Sequence, residues 1–216
     1  MLKRLRNKLL QRAGGQLESP SRASDGKTFR QLFDLTQGMT SFEEASLLYR
    51  LAIETKQGCI VEVGSYRGRS TVALGRGSLD GHRVPVFAFE PHEEFVGILG
   101  GRFGAEDRAA FYRAMLDTGC YEIVRLVNLS SEVATPNWTK PIALLWIDGD
   151  HSYEGVKRDF ECWRPSLNAD ATVVFDDSLD ASIGPRRLID ELLQARELEM
   201  TEVVRKVTVL RCRGIG

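Results

Sequence analysis

Apolar and polar positions repeat with two different periods along most of the chain. Short apolar runs rich in branched residues predict buried strands, at residues 59–64, 84–90, 121–130, 142–148 and 171–177. Stretches with apolar residues at helical spacing lie beside them, at residues 40–58, 106–119, 152–167 and 185–195. Strands that alternate with helices predict an α/β fold: a doubly wound, mostly parallel, Rossmann-like sheet with helices on both faces. A last apolar stretch, residues 201–212, predicts one or two closing antiparallel strands.

The first fifteen residues differ in composition from the rest of the chain. Leucines recur there at helical spacing among basic residues, and Gly14 and Gly15 end the pattern. Such a basic amphipathic helix can lie on an anionic membrane or dock on a protein. Membrane contact through residues 1–13 is open but not favoured, because no lipidation signal accompanies it; packing on this chain or in a homodimer is the alternative. We predict an N-terminal helix and linker, or lid, over residues 1–39 and one main domain over residues 40–216.

Composition and charge narrow the class of protein. Of the 216 residues, 43% are hydrophobic and 27% charged, as is ordinary for a globular protein. The net charge of −1 provides no field that would recruit nucleic acid. No apolar run approaches the ~20 residues of a membrane span. The four scattered cysteines indicate a reducing compartment, so we expect a cytoplasmic protein.

Two of the predicted strands end in residues that suit a nucleoside ligand. The first runs into "VEVGSYRGRS", where Gly64 and Gly68 let the backbone approach a ligand closely. The second ends in Glu90, at the distance along the chain where a carboxylate accepts hydrogen bonds from ribose hydroxyls. A tight turn and a solvated acid would explain each feature alone equally well. Together they favour a nucleoside site.

The next two strands end in acidic residues. Asp148, Asp150 and His151 follow one strand, and Asp176 and Asp177 follow the other. Carboxylates that converge at one sheet edge repel one another unless they are protonated, solvated or neutralised by a cation. Hard oxygen ligands with few histidines suit magnesium, manganese or calcium. His151 could act as a general base, and Asp150 is predicted to cap the helix that follows.

These segments carry a resemblance to a known family. "VEVGSYRGRST", the Glu90 that follows "VFAF", "LLWIDGDHSYEGVKRD" and "VVFDD" resemble the successive motifs of class I S-adenosylmethionine-dependent methyltransferases. The "D-G-D-H-x-Y" segment is most similar to metal-dependent small-molecule O-methyltransferases, the group with macrolide and aminocoumarin sugar methyltransferases. The resemblance covers roughly residues 40–212, with the motifs in the right order. It implies S-adenosylmethionine as cofactor and a small molecule or sugar as acceptor.

The resemblance also assigns roles to residues. Four would surround the methionine part of the cofactor: Glu62, Gly64, Ser65 and Gly68. Glu90 would bind the ribose hydroxyls, and the segment Asn128 to Ser130 would border the adenine. Three acids would hold a divalent metal, with magnesium expected: Asp148, Asp176 and Asp177. Asp148 would also contact the amino end of the cofactor, and His151 would take the proton of the acceptor hydroxyl.

Two other functions stay open at this point. One is a binding subunit that holds the nucleoside cofactor without turnover, against which the intact acid–histidine set argues. The other is a nicotinamide-dependent oxidoreductase, which the glycine spacing in "GSYRGRS" disfavours. In methyl transfer the protein aligns donor and acceptor and a base removes the hydroxyl proton, so the predicted residues suit that chemistry best.

Overall fold

The computed structural model describes residues 26–98 and 100–213. The strands there are β1 (Cys59–Val63), β2 (Val86–Phe89), β3 (Phe95–Val96), β4 (Arg102–Phe103), β5 (Val124–Val127), β6 (Ile142–Ile147), β7 (Leu167–Phe175), β8 (Leu198–Val204) and β9 (Val207–Cys212). The α-helices are α1 (Phe29–Asp34), α2 (Phe42–Glu54), α3 (Arg69–Asp80), α4 (Ala105–Thr118), α5 (Ser131–Ala134), α6 (Tyr153–Trp163) and α7 (Gly184–Gln194). Short 3₁₀ turns cover Cys120–Glu122, Thr135–Asn137 and Arg164–Ser166. None of these helices has the length and apolar character needed to cross a membrane.

In the described residues, seven strands form one sheet in the order β5-β2-β1-β6-β7-β9-β8. The strands β5, β2, β1, β6 and β7 run parallel, β9 pairs antiparallel with β7, and β8 pairs antiparallel with β9. This confirms the predicted doubly wound sheet with an antiparallel edge. The chain builds outward from β1 in one direction and from β6 in the other, so the strand order reverses between β1 and β6.

Alternate residues of the central strands supply two cores, one on each face of the sheet. On β1, Ile60 belongs to the core beneath α2 and α3, and Val61 to the core beneath α6 and α7. On β6, Leu144 and Leu145 divide in the same way. This follows from the two-residue period of a strand, and it explains why the central strands are apolar almost throughout.

Helix α1 packs on the first of these cores. The ring of Phe29 stacks on Tyr49 of α2 with a centroid separation of 4.4 Å, and Phe33 is also buried. The residues after α1 are held by Arg69 at the start of α3, whose guanidinium donates to the carbonyl oxygens of Thr36 and Gly38. Helix α1 thus shares the core of the main domain. The domain boundary predicted after residue 39 stays a prediction. The helix predicted in residues 1–13 lies outside the described residues.

Candidate active site

A cleft of about 470 Å³ opens at the carboxyl ends of the parallel strands. It lies where the strand order reverses, which is where sheets of this kind bind ligands. Most of the predicted site residues line its wall: Gly64, Ser65, Glu90, Ser130, Asp148, His151, Asp176 and Asp177. Three predicted cofactor residues lie behind that wall instead: Glu62, Gly68 and Asn128. The strand ends thus bring together the residues that the sequence placed at one edge of the sheet.

The turn after β1 depends on glycine. Gly64 has a φ of +85°, and a Cβ atom there would overlap the carbonyl oxygen of Asp148. The backbone N–H of Asp148 donates to the carbonyl of Val63 at 2.9 Å, so the β1 and β6 loops touch. Gly68, with a φ of +89°, is the N-cap of α3 and faces Met115 and Phe111 rather than the cleft. Gly64 therefore shapes the floor of the cleft, and Gly68 turns the chain into the helix.

Glu90, at the end of β2, is held in place by backbone donors. Its two carboxylate oxygens accept from the N–H groups of Tyr66 and His92, each at 3.2 Å. Tyr66 and His92 have φ values of +45° and +54°, a left-handed conformation that non-glycine residues adopt rarely and mostly where the surrounding structure enforces it. Asn128 donates to the carbonyl of Glu90 at 2.8 Å and contacts Nδ1 of His92 at 3.0 Å. Asn128 thus supports the Glu90 loop from behind, while Ser130 lines the cleft.

Ser65 carries a buried hydroxyl without a hydrogen-bond partner among the described residues. The residue is only 2% exposed, yet it lines the cleft. A buried polar atom left unpaired is costly, so its partner is best sought in a ligand. A polar ligand fits this part of the cleft. Gly64 has no side chain to keep the ligand from the backbone, and the Ser65 hydroxyl has no partner among the described residues.

Glu62 lies fully buried one residue before the end of β1. Its carboxylate oxygens accept from the hydroxyls of Ser70 and Thr71 on α3, each at 2.5 Å. Burial raises the pKa of Glu62 to about 8, despite these hydrogen bonds. Glu62 therefore ties β1 to α3 beneath the cleft, and its predicted contact with the methionine part of a cofactor stays a prediction.

His151 lies between two of the predicted acids. Its Nε2 atom is 3.3 Å from Oδ1 of Asp148, without hydrogen-bond geometry, and its Nδ1 is 3.5 Å from Oδ2 of Asp177. Burial lowers the pKa of His151, but the two carboxylates outweigh that effect and raise it above its ordinary value. Ligand atoms of Asp148, His151 and Asp176 lie within 4.8 Å of one another, a spacing that a metal ion could bridge.

A lysine that the sequence did not single out completes this cluster. Lys206, in the turn between β8 and β9, places its Nζ atom 2.7 Å from Asp176 Oδ2 and 3.0 Å from Asp177 Oδ1. Burial lowers the pKa of Lys206, but the carboxylates, Asp176 foremost, outweigh it and raise the pKa. Burial and the charge of Asp148 raise the pKa of Asp176, which Lys206 opposes. The cluster thus contains its own positive charge.

The turn after β6 corrects one prediction. Asp150 was expected to cap α6, but Ser152 is the N-cap, and its hydroxyl accepts from the N–H of Gly155 at 3.0 Å. Asp150 instead accepts from the N–H and the hydroxyl of Ser152, at 2.9 and 2.8 Å. A serine directly before the first helical residue is the better-placed cap, and the aspartate two residues earlier steadies it.

An apolar hairpin lines one side of the mouth of the cleft. Strands β3 and β4 pair there, and Phe103 packs edge-on against Tyr66 at 5.1 Å between ring centroids. Phe95 and Ile98 are about half exposed, and Phe95, Ile98 and Phe103 all line the cleft. The sequence did not predict this hairpin, because its strands are only two residues long.

Comparison with known proteins identifies the family. Residues 61–178, more than half of the chain, match the sequence model of the family described as "Methyltransferase domain". The chain belongs to this family. The match begins in β1 and ends just after Asp177, so it spans almost all the strand-end residues described above. Lys206 lies beyond it.

Solved structures similar to this methyltransferase-domain protein include three methyltransferases. A putative caffeoyl-CoA O-methyltransferase from Staphylococcus aureus has a TM-score of 0.66 at 15% identity, over 88% of this chain and 94% of the other. The O-methyltransferase from Bacillus cereus, in complex with SAH, has a TM-score of 0.64 at 14% identity, over 99% and 100%. TomG from Streptomyces achromogenes, involved in tomaymycin synthesis and in complex with SAM, has a TM-score of 0.60 at 18% identity, over 98% of both chains. At these identities the likeness concerns the fold.

Proposed function

We propose that this methyltransferase-domain protein transfers a methyl group from S-adenosylmethionine (SAM) to a hydroxyl oxygen of a small molecule or sugar. The observation that carries the proposal is the cleft at the reversal of strand order. It combines a glycine floor at Gly64, an unpaired hydroxyl at Ser65 and a fixed carboxylate at Glu90. The solved O-methyltransferases of similar fold in complex with SAM or SAH support the choice of cofactor.

Each of these groups has a role toward the cofactor. Glu90 would accept hydrogen bonds from the ribose hydroxyls, because both its oxygens are already fixed by backbone N–H groups. The hydroxyl of Ser65 and the carboxylate of Asp148 would bind the amino acid end, and Ser130 would border the adenine. When bound, SAM supplies an electrophilic methyl group to the acceptor oxygen, and the carbon–sulfur bond breaks with its electron pair staying on sulfur.

His151 would accept the proton of the acceptor hydroxyl at a ring nitrogen. The side chain lines the cleft close to Asp148 and Asp177, whose carboxylates favour the imidazolium that forms when the proton arrives. The acceptor itself would enter beside the apolar hairpin of Phe95 and Phe103. The more specific form of this proposal is a sugar acceptor. It rests on the resemblance of the "D-G-D-H-x-Y" segment to sugar methyltransferases.

The sequence also predicted a divalent metal on Asp148, Asp176 and Asp177. The oxygen donors are of the type that magnesium prefers. Lys206, however, already lies against Asp176 and Asp177, so an ion on these oxygens would have to displace it. As arranged, these residues do not fit a divalent metal at this position.

Isothermal titration calorimetry with SAM and with its demethylated product tests the proposal. We expect both to bind, and Glu90→Ala to weaken binding by roughly 10-fold or more, since hydrogen bonds to a charged group contribute about 1.5–3 kcal/mol. Glu43→Ala, on the outer face of α2, is the matched control and should bind like the wild type. No binding of either compound at high micromolar concentration, or binding of NADH instead, would overturn the proposal. If SAM binds, a screen of catechols, sugars and polyols for methyl transfer would identify the acceptor.

A further inference from the structure

Lys206 reaches the centre of the acidic cluster from a different part of the sheet. It lies in the two-residue turn between β8 and β9, next to Arg205, whose φ is +50°. Its ammonium contacts Asp176 Oδ2 and Asp177 Oδ1, and its side chain is 35% exposed. An ammonium within 3 Å of two carboxylates neutralises part of their charge where they would otherwise repel each other.

The backbone holds this lysine in position. The carbonyl oxygen of Lys206 accepts from both the N–H and the hydroxyl of Ser178, at 2.8 and 2.7 Å. The Ser178 hydroxyl lies 2.6 Å from that of Thr208, and both residues are buried. Because Ser178 directly follows Asp177, the turn that carries the ammonium is fastened to the loop that carries the acids.

Two basic side chains already contact all three predicted metal ligands. Lys206 contacts one oxygen each of Asp176 and Asp177, and His151 contacts the other oxygen of Asp177 and one oxygen of Asp148. A divalent ion on the same three acids would meet a fixed positive charge at about 3 Å or less from two of them. Repulsion at that distance disfavours the ion strongly.

We propose that Lys206 is the resident cation of this site and takes the place that a divalent metal would hold. The inference rests on the proposed methyl transfer. In that reaction the acceptor oxygen becomes more negative as its proton passes to His151, and a fixed ammonium beside the acids offsets this charge without reorganisation. The protein would then transfer methyl groups without a metal.

Binding of Mn²⁺, followed by electron paramagnetic resonance on the full chain, tests the inference independently of turnover. We expect no binding to the wild type at millimolar Mn²⁺. Lys206→Met should gain a Mn²⁺ site with affinity higher by roughly 10-fold or more, because the competing charge is gone. Adding Asp176→Asn to that variant should remove the gain. Lys157→Met is the matched control, since Lys157 is 37% exposed and also pairs with a carboxylate, Glu161; it should bind no more Mn²⁺ than the wild type.

Measurements of methyl-transfer activity provide a second test of the inference. Wild-type methyl transfer should be unchanged by exhaustive chelation, and Lys206→Arg, which keeps the charge, should retain more activity than Lys206→Met. The inference is overturned if chelation abolishes activity and Mg²⁺ restores it, or if the wild type binds Mn²⁺ as tightly as Lys206→Met. Should Lys206→Met fail to fold, as judged by circular dichroism, the wild-type Mn²⁺ and chelation results decide alone.

Failure of this inference differs from failure of the proposed function. A protein that binds SAM and requires Mg²⁺ for turnover contradicts only the role of Lys206. A protein that binds neither SAM nor its product contradicts the methyltransferase proposal, whatever the Mn²⁺ titration shows. Calorimetry on the chelated wild type separates these two results.

Discussion

Gly64 and Asp148 approach so closely that the carbonyl oxygen of Asp148 fills the space where a side chain on Gly64 would begin. The two residues belong to the loops after β1 and β6, the neighbouring strands between which the strand order reverses. The hydrogen bond from Asp148 N to Val63 O fixes the same junction. The position of Asp148 in the cleft therefore depends on a residue without a Cβ atom at position 64.

Gly64→Ala should destabilise the fold and prevent cofactor binding. The new Cβ would collide with backbone that has no room to move, at a positive φ, which together amount to a loss of about 3 kcal/mol in the free energy of unfolding. Urea denaturation and SAM calorimetry measure both effects. Gly26→Ala is the matched control, since Gly26 has a φ of +80° and no described residue lies within 4 Å of the added atom. Gly26→Ala should lose only the smaller part of the free energy of unfolding, the part due to the positive φ. Equal losses in the two variants would contradict the close contact between Gly64 and Asp148.

Ser65→Ala should change stability and affinity in opposite directions. In the ligand-free protein it removes a buried hydroxyl that lacks a partner among the described residues, so the free energy of unfolding should rise by roughly 1 kcal/mol. The affinity for SAM should fall roughly 5-fold or more, because one hydrogen bond to the ligand is lost. Ser78→Ala is the control: its buried hydroxyl already donates to the carbonyl of Val84, so that variant should lose stability and keep its affinity. A Ser65→Ala variant with unchanged affinity would show that the Ser65 hydroxyl does not bind SAM.

The sequence predicted the sheet, and which residues meet at its carboxyl edge, because both depend on where apolar runs end. Parallel strands place their carboxyl ends at one edge, so Asp148 after β6 and Asp176 after β7 had to meet. Lys206 could not be found in this way, because it enters from a turn between antiparallel strands. Apolar patterning does not encode that β9 pairs with β7, which is what brings the turn over the acids.

The side-chain contacts of the residues behind the wall of the cleft could not be predicted from the sequence either. Glu62 precedes the glycine turn by only two positions, yet the two-residue period of β1 points it beneath α3, toward Ser70. Asn128 follows β5, and its side chain donates to the Glu90 carbonyl; its predicted place beside the adenine stays a prediction. Such choices between facing a ligand and supporting a loop depend on side-chain direction, which strand-end position alone does not fix.

Glu62 should make the stability of the fold fall as the pH rises. Its folded pKa of about 8 lies above its ordinary value of 4.5 because of burial. Below pH 4.5 Glu62 carries its proton in both the folded and the unfolded state, so the stability does not depend on pH through this group. Between about pH 4.5 and 8 only the folded state keeps the proton. Each pH unit in that range therefore lowers the free energy of unfolding by about 1.4 kcal/mol. Glu62→Gln, which cannot ionise, should lack this slope. Urea denaturation of both proteins at pH 5 and pH 8 checks it, and parallel pH dependences would show that Glu62 is ionised in the fold.

His151→Gln should slow methyl transfer without weakening cofactor binding. The variant keeps a polar side chain near Asp148 and Asp177 but no longer accepts a proton, and loss of a general base typically lowers kcat by about 10² to 10⁴. Steady-state kinetics with the acceptor found by screening would measure kcat, and calorimetry would measure the SAM affinity, which should change less than about twofold if His151 acts on the proton alone. His82→Gln is the matched control, because His82 is exposed and lies in the turn between α3 and β2, outside the cleft. If His151→Gln keeps the wild-type kcat, another group accepts the proton of the acceptor hydroxyl. If His82→Gln loses as much kcat as His151→Gln, the loss reflects a general effect on the fold.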